Sequence, residues 1–92
     1  MSDKTKIAIV TGGGSGIGLA IAEKFVTNNI HTIIIGRDEK KLAAAKKKLG
    51  VLCEPVSLDL NDLDSITQLV GKIIDRHKNI DILVHNAGIN MK

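Results

Sequence analysis

Two hydrophobic periods alternate along this chain from one end to the other, and that alternation limits what it can fold into. Ile7 to Val10 is a short apolar run ended by glycines, which suits a strand buried on both faces. After it, Ile17, Ile21 and Phe25 recur at i, i+4 and i+8 with Ala22 and Val26 beside them, one apolar stripe on a helix, and Asn28 and Asn29 are stop signals. His31 to Ile35 is again short and β-branched, and Gly36 closes it. Asp38 suits the N-cap of a second helix whose inward face carries Leu42, Ala45 and Leu49, with lysines outward and Gly50 as its stop. Val51 to Leu58 is a weaker strand, because Pro55 lacks a ladder donor and points to an edge position or the strand's end. Asn61 or Asp62 then caps a third helix with the stripe Ile66, Leu69, Val70, Ile73 and Ile74, and Ile80 to His85 is a final strand of the buried type.

The order is therefore β-α-β-α-β-α-β. Strands separated by single helices require right-handed crossovers, which predicts an α/β fold with a parallel sheet and helices on both faces. At roughly 150 residues per domain, 92 residues amount to about 0.6 of a domain, enough for one small domain and too few for a two-domain enzyme. With 43% hydrophobic and 25% charged residues the chain has the composition of a globular protein. One Phe, no Trp and no Tyr leave an aliphatic core, and these residues contain no tyrosine phenol for any mechanism.

Thirteen basic against ten acidic residues give a net charge of +3, too modest to imply nucleic acid without a basic face. Lys40, Lys41 and Lys46 to Lys48 are diluted by Asp38 and Glu39 and read as a solvated helix face. The single Cys53 excludes an internal disulfide and a cysteine metal cluster, which suits a reducing compartment. No run is long enough for a signal-peptide core or a membrane span, so the expectation is a cytoplasmic chain with neither membrane nor nucleic-acid partner. His31 and His77 are isolated, with no spacing that makes a metal site.

Between the first strand and the first helix lies Thr11-Gly12-Gly13-Gly14-Ser15-Gly16-Ile17-Gly18. A turn of this kind turns backbone N–H groups and a helix N-terminus toward an anion, and missing Cβ atoms let a pyrophosphate approach the main chain. A Walker loop needs Lys and then Ser or Thr after its last glycine, but Leu19 and Ala20 follow Gly18. The pattern G-x-G-x-x-G also fails, because counting from Gly12, Gly14 or Gly16 puts Ile17, Leu19 or Ile21 in the third glycine's place. What fits is T-G-x-x-x-G-x-G, on Thr11, Gly12, Gly16 and Gly18.

With that motif the chain resembles the N-terminal part of the short-chain dehydrogenase/reductase family. Gly36-Arg37 at the second strand's end, Asp59-Leu60 after the third and Asn86-Ala87-Gly88 after the fourth complete the resemblance, which covers essentially the whole sequence. It implies a Rossmann-type sheet of strand order 3-2-1-4, with residues 1–92 forming the N-terminal part of one dinucleotide-binding domain whose catalytic half is absent. Glycines in such turns have three jobs: Gly12 permits the tight turn, Gly16 admits the pyrophosphate, and Gly18 lets the helix pack on the sheet. Ser15 donates to phosphate or ribose, or is a plain turn residue. Ile17 offers its backbone amide while its side chain stays in the core. By resemblance, Asp59 accepts from the adenine amino group, its alternative being a helix cap, and Leu60 donates its amide to the ring. Asn86 ties neighbouring strands, and Ala87 and Gly88 pass the adenosine ribose. Relatives often have two asparagines where this chain has His85-Asn86, and His85 reads as a strand-end substitution.

In relatives that use NAD an acid ends the second strand and binds the ribose 2′-OH. Here Arg37 stands in its place, and a guanidinium can pair with a 2′-phosphate through two N–H groups, so NADP is expected. Asp38, one residue on, keeps NAD as the alternative. The resemblance implies hydride transfer between nicotinamide and a carbonyl or alcohol, with a tyrosine, a lysine and a serine as catalytic groups. None has a counterpart here, so the chain alone is expected to bind the adenosine end of a cofactor and to catalyse nothing. The small-molecule substrate would belong to a full-length parent. A fourth strand left as an edge predicts self-association or domain exchange. The other functional class is a genuine short, non-catalytic nucleotide-binding or interaction module.

Overall fold

Four short β-branched segments pair side by side, all parallel, in the order β3-β2-β1-β4. The computed structural model describes residues 6–12, 16–59, 62–77 and 80–85. In chain order the elements are β1 (Ile7–Thr11), α1 (Gly16–Thr27), β2 (His31–Gly36), α2 (Glu39–Leu49), β3 (Cys53–Ser57), α3 (Leu63–His77) and β4 (Ile82–His85). Both the alternation and the strand order agree with expectation.

The sheet's two faces follow from the period of two. Val10, Ile34 and Cys53 face α1 and α2 and form one buried cluster with Ala22, Leu42 and Ala45. Ile7, Ile9, Ile33 and Ile35 face the other way and form a second cluster with Ile73 of α3. β1 and β2 lie centrally and are buried on both faces, which is why they read as continuous apolar runs.

Each helix end has an identifiable cause. Asp38 caps α2, its Oδ1 accepting the Lys40 and Lys41 N–H groups at 3.0 and 3.2 Å. Gly50 ends α2 at φ 89°, its N–H donating to Lys46 O at 2.8 Å. Asn29 ends α1 at φ 67°, with Asn29 N–H to Val26 O and Ile30 N–H to Phe25 O, the paired bonds of a Schellman stop. Of the two expected caps of α3 it is Asp62 that acts, accepting from Ser65 N–H at 3.2 Å and Ser65 Oγ at 2.8 Å. These bonds hold its carboxyl below the usual range.

Pro55 lies where expected, on an edge strand. Leu58 N–H points inward to Gly36 O, so a period of two puts the Pro55 nitrogen on the open side, where no donor is needed.

Three expectations need correction. Ile17 is 64% exposed and not in the core. The inward positions of α1 are Gly18 and Ala22, with Phe25 packed beside them, and Ile17 stands about 100° of rotation from Gly18 in the helix's first turn. Ile74 is likewise exposed, because Ile73 is the residue of α3 centred on the sheet. β4 is not buried on both faces. By register with Ile9, Leu83 lies on the α3 face, and with β4 at the margin it is 67% exposed.

Candidate functional site

The carboxyl ends of the four strands gather the residues that the motifs single out. Thr11 and Gly12 end β1, Gly16 to Gly18 open α1, Arg37 follows β2, Asp59 follows β3 and His85 ends β4. Helices leave β1 on one face while the connection into β4 crosses the other, so the junction of β1 and β4 is a topological switch point. In open α/β sheets that is where ligands bind. Ser15, Leu60, Asn86, Ala87 and Gly88 lie outside the described residues.

The turn's chemistry begins in its backbone. Gly12 sits at φ 71° and Gly16 at φ 61°, the left-handed region that a side chain disfavours, and Gly12 N–H donates to Ile35 O at 2.7 Å. Gly18 is buried against the sheet. The first turn of α1 carries no acidic residue, so its N-terminal dipole end is not opposed by a carboxylate of its own.

Arg37 and Asp38 part company at the end of β2. Asp38 turns back to cap α2, whereas Arg37 is exposed and makes no hydrogen bond or ion pair with another described residue. Asp59 is exposed too, and its carbonyl accepts from Asp62 N–H at 2.9 Å. The cap of α3 is therefore Asp62, which removes the alternative reading of Asp59 as that cap.

Sequence reasoning missed one contact here. His85 Nδ1 lies 3.2 Å from Thr11 Oγ1, and that hydroxyl reaches Val84 O at 3.4 Å. Both residues end strands, so adjacency of β1 and β4 in the expected order was the signal available. It also missed a polar cluster at the opposite end of the sheet. His31 Nε2 lies 3.0 Å from Glu54 Oε1, and Arg76 Nη1 donates to Glu54 Oε2 at 2.9 Å, so His31 is not isolated. Among the described residues no group of His, Cys, Asp or Glu could hold a metal, and no helix is long and apolar enough to cross a membrane. Buried Cys53 is a free thiol, and burial pushes its pKa up despite the nearby Lys46 charge.

The Glu54 cluster carries a pH prediction. Burial alone would raise the Glu54 carboxyl, but hydrogen bonds and charge from His31 and Arg76 outweigh it and leave the group below its ordinary 4.5. A depressed carboxylate adds stability that is fully present above the unfolded value and is lost as pH falls through the folded one. With Arg76 largely exposed, Glu54→Gln should cost about 1 kcal/mol at pH 7 and little once the acid is protonated in both states. Urea unfolding of both proteins from pH 7 down to pH 3 measures it, and a gap that widens on acidification contradicts the assignment.

Comparison with known proteins agrees with the topology. The family model described as short chain dehydrogenase matches residues 6–92. The chain belongs to the short chain dehydrogenase family. Among short chain dehydrogenase relatives, it is 39% identical over 89 residues to mouse peroxisomal 2,4-dienoyl-CoA reductase, covering 92% of this chain and 30% of that protein. A metagenomic short-chain oxidoreductase solved in complex with NADP superposes with a TM-score of 0.85 at 33% identity, covering 91% of this chain and 39% of the other. L-sorbose reductase from Gluconobacter frateurii, complexed with NADPH and L-sorbose, gives 0.81 at 35% identity, covering 96% and 35%. The chain thus spans about a third of the length of these short chain dehydrogenase relatives.

Proposed function

We propose that this chain is the adenosine- and pyrophosphate-binding part of an NADP-dependent oxidoreductase that moves a hydride between nicotinamide and a carbonyl or alcohol. One observation carries the cofactor preference: Asp38, the acid nearest the end of β2, has one carboxylate oxygen engaged by two backbone N–H groups, while the exposed Arg37 has no partner among the described residues. An acid committed to a cap is poorly placed to grip a ribose 2′-OH, and a free guanidinium suits a 2′-phosphate. The NADP and NADPH bound in the two related structures support the same reading.

The remaining roles follow the motif. Gly12 and Gly16 give a backbone that bends without side chains, Gly18 brings α1 close to the sheet, the Ile17 backbone amide serves the pyrophosphate, and the Ser15 hydroxyl is assigned to phosphate or ribose. An exposed Ile17 side chain does not weaken its part, since the backbone amide is the group used. Asp59 and Leu60 take the adenine edge, Asn86 braces the strand ends, and Ala87 and Gly88 leave room for the ribose. The bound nicotinamide supplies the hydride chemistry, and we assign the proton-transfer groups to residues outside these 92, which include no tyrosine.

Competition binding tests the preference: NADPH should displace a fluorescent adenosine 2′-phosphate probe at lower concentration than NADH. Equal or tighter NADH binding, unchanged by Arg37→Ala, sinks the NADP reading. We also infer that the isolated chain self-associates, since β4 is an open edge with Leu83 exposed. Sedimentation velocity should show dimers or larger species at micromolar concentration, and a single sharp monomer boundary refutes it.

A further inference from the structure

Resting on that reading of the cofactor site, we infer that α3 and β4 open together as one unit, away from a core formed by β1, α1, β2, α2 and β3, and that a bound dinucleotide closes them.

The two apolar clusters divide the chain unequally. Val10, Ala22, Ile34, Leu42, Ala45 and Cys53 all belong to the first five elements, so that cluster keeps its buried members if the last two elements leave. The other cluster takes four isoleucines from β1 and β2 but a single buried side chain, Ile73, from α3. β4 contributes no buried side chain. Opening therefore uncovers one face of the sheet and spares the other, so it costs less than full unfolding.

The polar ties are as unequal. Among the described residues, the side-chain bonds that join α3 to the sheet are those from Arg76 Nη1 and Nη2 to Glu54, at 2.9 and 3.5 Å, and the Arg76 side chain is largely exposed. A pair with so exposed a partner holds weakly. β4 is an edge strand of four residues, paired on one side to β1. As a parallel strand it is carried into place by the crossover through α3, so the two elements come and go together.

Such an opening takes the site apart. The glycine turn and Arg37 stay with the core, whereas the carboxyl end of β4 leaves with the unit. A dinucleotide seated at the junction of β1 and β4 needs both, so it binds the closed form and draws the population into it.

Amide hydrogen exchange of the whole chain, read by NMR, tests it. α3 and β4 should exchange at least about tenfold faster than β2 and α2. Ile34→Val, which weakens the first cluster, should speed exchange in β2 and α2 about fivefold and leave α3 and β4 unchanged. NADPH at about 100 times its Kd should slow α3 and β4 about 100-fold. Equal rates in all four elements, or an Ile34→Val response in α3 and β4 equal to that of β2, overturn the separate unit. NADPH that slows β2 and α2 but not α3 and β4 overturns the closure. NADPH that slows none of them sinks the cofactor reading and the closure with it, while the Ile34→Val response still decides the unit.

Discussion

Replacing Ile34 with alanine should remove about 3 to 4 kcal/mol of folding stability. Ile34 is fully buried in central β2, against Val10, Ala22, Leu42, Ala45 and Cys53. Truncation deletes three carbons from a site walled by a sheet on one side and by two helices on the other, which cannot collapse to fill the gap. The loss then combines the transfer of those carbons with a cavity term. A chain of this length is held by only about 5 to 14 kcal/mol, so about a fifth or more of its stability would go. Urea unfolding followed by far-UV circular dichroism measures it, with Val51→Ala as control. That side chain stands in the turn ahead of β3 and is 86% exposed, so its truncation should stay within about 0.5 kcal/mol. A loss below about 1 kcal/mol for Ile34→Ala would show that the α1–α2 face is not the packed core described.

Arg37→Ala should weaken NADPH binding about 30-fold and NADH binding less than about threefold. The difference reflects a charge-assisted, two-pronged contact to a phosphate, worth about 2 kcal/mol where a partly exposed guanidinium is concerned. No other described residue competes for Arg37, so no internal bond must break before it engages the ligand. Arg37→Lys should recover only part, since an ammonium is a point charge without the planar fork. Asp38→Ser should keep the cap of α2 and leave the NADPH to NADH ratio within about twofold, because the carboxylate is used on Lys40 and Lys41 N–H and not on the ribose. Isothermal titration of the four proteins with both cofactors decides the matter. A large Asp38→Ser effect on NADH would mean the acid leaves its cap to bind the 2′-OH.

Much of the local structure around this site was legible in the sequence. Asp38 and Gly50 were readable as helix ends because capping depends on three or four neighbouring residues, and Pro55 as an edge residue because a missing N–H is a local property. Gly12 and Gly16 were readable as turn formers for the same reason, and both take positive φ. Ile17 and Ile74 were misjudged because a stripe spaced at i and i+4 drifts around a helix. Which residue at its margin meets the sheet is set by where the axis lies, not by hydrophobicity. Leu83 was misjudged because a short apolar strand looks the same in the centre of a sheet and at its edge.

The alternation of strand and helix and the glycine turn were legible in the chain alone, since each rests on residues within about a dozen positions of one another, and the family followed from four such local motifs at successive strand ends. Tertiary structure decided what depends on neighbours distant in the chain. It leaves Arg37 unengaged by any other described residue, and it joins Glu54 to His31 and Arg76 across 23 and 22 residues. It also sets His85 against Thr11 across 74. Parallel pairing is the physical reason: every strand pair needs a crossover, so side chains that meet at a strand end come from segments the local pattern cannot relate.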